Sequence, residues 1–160
     1  MKKPIRALIF LLVLVCLLTG YTDPVGKVLQ YDDLSLTLPA DFMDLSGESY
    51  AKDADFLYGW RTLVFMGLSE KKADLKEMTL DEYTGYVISG NKLTCTPTVT
   101  GSGYIFTYEA MIDNTPYTYT TATVEGKNNF WILQFYCPSA DLAANQPEID
   151  IILQSIQPNL

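Results

Sequence analysis

Between Gly103 and Pro138 the chain reads GYIFTYEAMIDNTPYTYTTATVEGKNNFWILQFYCP, and this run limits the fold more than any other. Three apolar-rich stretches are separated by two polar clusters, Asp113-Asn114-Thr115-Pro116 and Glu125-Gly126-Lys127-Asn128, both composed of turn-forming residues. The spacing predicts a meander of three long strands. In the first, Tyr104, Phe106, Tyr108 and Ala110 share a face. In the second, Thr118, Thr120, Ala122 and Val124 oppose Tyr117, Tyr119, Thr121 and Thr123. In the third, Trp131, Leu133, Phe135 and Cys137 oppose Phe130, Ile132, Gln134 and Tyr136, so both faces are largely apolar. A strand of that kind belongs in a sheet that is covered on both sides.

The flanking sequence supplies the covers. Lys27–Tyr31 is a short strand candidate. Leu34, Leu36 and Leu38 alternate with polar residues in a half-buried strand that Pro39 ends. Gly47–Asp55 reads as irregular, with Tyr50 an isolated anchor. Phe56–Tyr58 and Thr62–Met66 are strands about a Gly59-Trp60 turn. Ser69–Met78, dense in mixed charge, reads as a solvated connection. Thr79-Leu80-Asp81-Glu82 is a capping box, and a helix follows to about Ser89, with Leu80, Tyr83, Val87 and Tyr86 on its apolar stripe. Lys92–Val99 is a strand ended near Pro97. Ser139–Asn145 starts a helical turn, and Pro147-Glu148 opens a closing helix that buries Ile149, Ile152, Leu153 and Ile156. The sum is an α+β sandwich: a mostly antiparallel sheet, centred on the meander, with helices on both faces.

The N-terminus is a different kind of segment. Lys2, Lys3 and Arg6 precede an unbroken apolar run, Ala7–Leu18, which is short for a bilayer span of about 20 residues and right for a secretory signal. Residues 1–20 are accordingly read as a signal peptide, 21–32 as a leader and 33–158 as one domain. Cleavage near Gly20 fits best. Lipidation at Cys16 is disfavoured by the Val15 before it, and retention as an anchor is the third outcome. Removing the three cations of residues 1–20 takes the formal net charge from −8 to −11, since all 19 acidic residues lie further on. A domain so acidic repels nucleic acid and anionic membrane surfaces. Membrane contact is expected only through the N-terminus, and the location is extracytoplasmic, secreted or tethered to the outer face of the cell membrane. Of the remaining cysteines, Cys95 precedes the meander and Cys137 ends it. In a simple meander they lie about 14 Å apart, at about 4.8 Å per strand, too far for a disulfide; a bridge between them would require a different strand order, and otherwise both are small buried hydrophobes.

The order of these elements resembles the Mog1/PsbP-like family, in particular its small exported bacterial members, many of them lipoproteins. The features that carry the resemblance run from Leu34 to Ile156: Leu-Ser-Leu-Thr-Leu-Pro with Phe42 three residues after the Pro, Thr-Leu-Asp-Glu-Tyr opening the helix, the long meander, Phe-Trp-Ile-Leu-Gln-Phe-Tyr-Cys-Pro, and the closing Ile-Leu-Gln-Ser-Ile. The resemblance implies the family's sandwich fold and non-enzymatic adaptor or binding behaviour. The histidines proposed to bind metal in the photosystem members have no counterpart, because the chain contains no His.

Without His, a Ser-His-Asp or Cys-His catalytic set and the usual zinc sites are excluded. No phosphate loop or dinucleotide fingerprint occurs. Asp32-Asp33, Asp41/Asp44 and Asp53/Asp55 could offer oxygen to calcium, but none sits in a spaced calcium loop, and solvated turns are the default. No metal, cofactor or catalytic residue is therefore assigned. Tyr104, Tyr108, Tyr117, Tyr119 and Tyr136 could line a ligand-binding face, although a sheet covered on both sides buries such residues anyway. Binding contacts are placed instead at turns: Trp60 and Arg61 at one, Asp113 and Asn114 at another. The leading function is a non-catalytic binding or adaptor domain for an envelope or extracellular protein. A small-molecule-binding domain and a carboxylate-based hydrolase are the alternatives. Intact-mass measurement of the protein recovered from its native host is expected to show a mature start beyond Cys16 and no added lipid; a lipid mass on Cys16 would overturn the cleavage reading.

Overall fold

The computed structural model describes residues 26–48 and 53–159. Residues 1–20, read from the sequence as a signal peptide and including Cys16, lie outside the described residues, as does Tyr50. The strands are β1 (Lys27–Gln30), β2 (Leu34–Leu38), β3 (Met43–Asp44), β4 (Phe56–Trp60), β5 (Leu63–Lys71), β6 (Thr98–Val99), β7 (Gly103–Ile112), β8 (Thr115–Glu125), β9 (Asn129–Pro138) and β10 (Gln157–Pro158). The helices are α1 (Leu80–Gly90) and α2 (Leu142–Ser155). Seven strands form one antiparallel sheet in the order β3-β4-β5-β9-β8-β7-β6, and β1-β2-β10 form a second, smaller sheet. The meander is β7, β8 and β9 in register, as its periodicity predicts.

Both faces of the large sheet are buried by different means. On one, Phe106, Phe130 and Ile132 pack beneath Tyr83 and Val87 of α1, with the Tyr83 and Phe130 rings stacked 4.6 Å apart. The capping box is present in full: the Thr79 hydroxyl accepts from the Glu82 amide, and the Glu82 carboxylate accepts from the Thr79 amide. Tyr86 is exposed, and Thr84 takes the buried place, its hydroxyl 2.6 Å from that of Thr123. On the other face, Leu63, Phe65, Leu133, Phe135 and Cys137 meet Leu34, Leu36 and Leu38 of β2 together with Ile149 and Ile152 of α2. That cover is a small sheet plus a helix. β2 joins β1 and β10 rather than the main sheet, which lets three leucines enter the core together. Cys95 and Cys137 are free thiols on opposite faces of the sheet.

Four local readings shift. The β4–β5 turn is Arg61-Thr62, two residues later than the Gly59-Trp60 turn the sequence suggests, with Arg61 at φ 53°. Gly59 sits inside β4, where a Cβ would come 2.7 Å from a Leu45 methyl, so packing rather than turning demands glycine there. Ser69–Lys71 belongs to β5 and is not a solvated connection; Lys72 beyond it pairs with Glu125. Of Lys92–Val99, only Thr98–Val99 pairs as strand, because Pro97 has no amide to extend the ladder. The closing helix begins at Leu142, after a 3₁₀ turn at Ser139–Asp141, so Pro147 lies within α2 and not in its first turn. Pro147 is exposed, and the backbone bond it removes is on the solvent side.

The two sheets are tied at one end by Asp33. This residue is 1 % exposed. Its Oδ2 accepts from the amides of Asn128 and Asn129, both at 2.9 Å, and from the Asn129 side chain at 3.0 Å, while Oδ1 accepts from the Trp131 indole at 2.8 Å. It is thus a structural anchor, neither a calcium ligand nor a solvated turn. Burial pushes its carboxyl up, but the Trp131, Asn128 and Asn129 donors outweigh that and hold it below the ordinary carboxylate value. A lowered acid contributes stability that is present above the unfolded value near 4 and is lost as pH falls through the native value. Asp33→Asn, which turns an amide toward these donors, is expected to cost about 2–4 kcal/mol in urea unfolding at pH 7. The difference from wild type is expected to narrow below pH 4; a gap that stays constant across pH 3–7 would contradict this role.

Candidate functional site: the untied end of the sheet

The register of β4, β5, β9, β8 and β7 brings two turns to the same end of the large sheet. Trp60 pairs with Leu63 across the β4–β5 turn, Val64 lies beside Tyr136, Tyr136 beside Tyr119, and Tyr119 beside Tyr108. The Arg61-Thr62 and Asp113-Asn114 turns both project beyond this row. Across the sheet their centres are three strand spacings apart, about 14 Å at about 4.8 Å per strand. The β8–β9 turn, tied by Asp33, lies at the opposite end.

At the β4–β5 turn the Arg61 guanidinium lies 4.3 Å from the centre of the Trp60 ring. Trp60 is half-buried and stacks on Phe42 with centroids 6.2 Å apart. Phe42 is buried, so it fixes the indole, and the indole in turn positions the exposed Arg61. A cation over a partly exposed indole is worth about 0.5–1 kcal/mol, enough to orient the side chain while leaving its donors free for an acceptor.

At the β7–β8 turn Asp113 and Asn114 adopt φ of 46° and 63°. Two successive left-handed residues make the primed hairpin turn that matches strand twist, and Asp and Asn tolerate that conformation. The pairing of β8 with β9 stops at Tyr117–Pro138, whereas β7 and β8 continue to Ile112–Thr115. The hairpin therefore overhangs β9. Pro116 fits here because the side of β8 that would need its amide has no strand beside it. Met111 is 66 % exposed and Ile112 39 %. Sequence reasoning singles out the turn but misses these two apolar residues before it; the available signal was the apolar run Ala110-Met111-Ile112 directly before a polar turn.

Between the turns runs a tyrosine row. Tyr108 and Tyr119 stack at 4.8 Å with planes 3° apart, and Tyr119 and Tyr136 at 5.3 Å. All three are half-buried. Their rings face each other across the strands, so ring edges and hydroxyls face outward rather than forming a flat stacking platform. Gln134 donates to the Tyr108 hydroxyl at 3.0 Å and to Thr121 at 3.2 Å. Burial raises the Tyr108 and Tyr119 phenols above the ordinary value, so both remain protonated at physiological pH. Tyr104 lies further along β7, toward the tied end, and Tyr117 lies beside the overhang.

The aspartate pairs do not assemble into a site. Asp44 accepts from the Ser46 amide at 2.9 Å and organises its own turn, whereas Asp55, just before β4, accepts from the Ser69 amide of β5 at 2.6 Å. Among the described residues no group of three or more His, Cys, Asp or Glu is arranged to hold a metal ion. Two open grooves occur elsewhere: one of about 540 Å³ between α1 and the segment before it, lined by Asp74, Leu75, Met78 and Tyr86, and one of about 380 Å³ between Ile105 and the end of α2 at Leu153 and Ile156. No described helix is long and apolar enough to cross a membrane.

No protein-family model and no curated protein sequence matches the chain. Solved structures do match. A Bacteroides thetaiotaomicron protein superposes with a TM-score of 0.60 at 14 % identity over 85 % of this chain, which spans about half (49 %) of that protein's length. The Ran-binding protein Mog1p of Saccharomyces cerevisiae gives 0.54 at 10 % identity, covering 83 % of this chain and 95 % of Mog1p. Cyanobacterial PsbP from Synechocystis gives 0.52 at 8 % identity, covering 87 % and 95 %. Identities this low establish architecture and nothing finer, and the architecture is the one that the strand order and short patterns of the sequence suggest: the chain has the Mog1/PsbP-like fold.

Proposed function

We propose that this protein is a non-catalytic, exported domain that binds a protein partner of the cell envelope or its surroundings through the untied end of its large sheet. The observation that carries the reading is the overhanging β7–β8 hairpin, which holds Met111 and Ile112 in solvent. Apolar side chains on a projecting, rigid hairpin are suited to burial against another surface. Arg61, held over Trp60 at the same end, supplies an oriented cation to the rim of that surface. Trp and Arg are enriched among the residues that dominate protein interfaces. The likeness to Mog1p supports the choice of partner class, since that protein, with the same fold, is a Ran-binding protein. Export rests on Lys2, Lys3, Arg6 and the apolar run Ala7–Leu18, with residues 1–20 removed, 21–32 as a leader and 33–158 as the binding domain. The contact residues proposed are Trp60, Arg61, Asp113 and Asn114, joined by Met111 and Ile112.

Position-specific photo-crosslinking in the native host is the direct test. A crosslinker at Met111 or Ile112 is expected to give one discrete protein adduct, and a crosslinker at Ile151, on α2 and intermediate between them in exposure, is expected to give none. With the crosslinker at Ile112, Arg61→Glu together with Met111→Asp should reduce the adduct by roughly tenfold or more, because it puts a charge into the apolar contact and reverses one at its rim. Equal labelling from all three positions, or none from the hairpin, would contradict the proposal.

A further inference from the structure

β7 is ten residues long, yet its outer neighbour β6 pairs only with Tyr104 and Ile105. The turns reveal which backbone groups of β7 point outward. In an antiparallel strand each residue sends its N–H and C=O to one side, and the next residue to the other. The Gly103 carbonyl accepts from the Thr100 amide at 2.7 Å, on the β6 side. Gly103, Ile105, Thr107, Glu109 and Met111 therefore face away from β8. The first two are occupied by the β6 turn and strand. Among the described residues no strand pairs with Thr107, Glu109 or Met111 on that side, and all three are exposed. The chain before β6 does not cover them by pairing: Pro97 breaks the ladder, and Leu93 and Cys95 turn in toward the α1 cluster.

We propose that the Thr107–Met111 edge of β7 accepts one extended segment of a partner protein as an added strand, with a Lys or Arg of that segment opposite Glu109. The inference rests on the protein-binding reading and adds the means by which the partner is held. The open edge is continuous with the exposed tip at Met111 and Ile112, so a partner seated on the tip is led along it. Six unpaired backbone groups on alternate residues are the template that strand addition uses. Charge fixes the occupant. Glu109 is the one charged side chain between Thr107 and Ile112, and its contact within the chain is the Ser139 hydroxyl, at 3.2 Å. The chain as a whole carries −8. A second copy pairing antiparallel about this edge would set two Glu109 carboxylates against one another, and like charges directly opposite are destabilising. The carboxylate that repels an acidic copy selects a basic strand.

The probe is a synthetic heptapeptide, acetyl-Thr-Val-Thr-Lys-Thr-Val-Thr-amide, with a twin carrying Glu at the centre, added to the ¹⁵N-labelled full-length protein. The Lys peptide is expected to slow hydrogen exchange at the Thr107, Glu109 and Met111 amides, and to bind about two- to fivefold more tightly than its Glu twin, the range of a cross-strand charge pair. Glu109→Lys should reverse that order. Met111→Pro removes an outward amide that the fold does not use, so it should leave thermal stability nearly unchanged and weaken the Lys peptide. No slowing of these three amides at millimolar peptide, or no reversal in Glu109→Lys, would overturn the proposal. Protection of the same amides in the protein alone, with the sedimentation mass of a dimer, would assign the edge to a second copy instead. Hairpin crosslinks without amide protection would uphold protein binding and reject strand addition alone.

Discussion

The Asp33 carboxylate is the contact on which the sandwich depends. It accepts four hydrogen bonds from the β8–β9 turn and the start of β9, across 95 to 98 residues of sequence. Its own carbonyl accepts from the Asn159 amide, and the Asn159 carbonyl accepts from Lys127. Three distant pieces of chain thus meet at one point: the β1–β2 turn, the β8–β9 turn and the residue after β10. A carboxylate buried without partners would be expelled or neutralised. With four donors it is held charged, and each donor would itself be orphaned without it. Gly126 belongs to the same arrangement, since a Cβ there would lie 2.6 Å from the Asp33 carboxylate. The site admits the carboxylate and leaves no room for a side chain at Gly126.

This tie makes the molecule asymmetric along its strands. At the Asp33 end the small sheet, the large sheet and the C-terminal strand are fixed together, and Lys72 and Glu125 pair nearby over Phe130. Further along, the core is apolar and continuous: Phe65 and Phe135 stack at 4.4 Å, with Leu34, Leu36, Leu38, Ile149 and Ile152 around them. Beyond the tyrosine row the second layer thins, and what remains is the projecting β7–β8 hairpin and the Arg61 turn. The Asp33 end is thus held by polar contacts between both sheets, while at the other end Met111 lies 66 % exposed on the projecting hairpin.

Features whose cause is local could be read from the sequence. The meander follows from period-two alternation, and the α1 start follows from Thr79 and Glu82, which need only each other. Features whose cause is distant could not. Asp33 looks like one of two aspartates before a strand, and nothing near it announces that Asn128, Asn129 and Trp131 will surround it. Gly59 reads as a turn residue because glycine commonly is one, while its actual constraint is the Leu45 side chain arriving from β3's flank. Pro147 reads as a helix start, but the turns before it are helical because Leu142 and Asn145 pack inward, and Asn145 donates to the Thr62 hydroxyl at 3.2 Å. Of the candidate site, the turns at Trp60-Arg61 and Asp113-Asn114 were visible as chemistry. Their location at one end of the sheet is a property of strand order, which brings residues 52 apart in sequence to within three strand spacings of each other.

The overhang itself is an argument about what the chain needs. A hairpin that ended at the last β8–β9 rung, Tyr117–Pro138, would leave the meander and both cores intact. The two further rungs bury little, place Met111 in water and lengthen an open edge, which is a liability for any sheet protein. Glu109 limits that liability toward copies of the same acidic chain without closing the edge. Exposed apolar tip, unpaired backbone and a single selecting charge act in the same direction. Each is unfavourable or neutral for the isolated domain, and each becomes favourable when an extended, basic segment lies alongside. The part of the sequence that most firmly dictates the fold thus continues, for two rungs, beyond what folding requires.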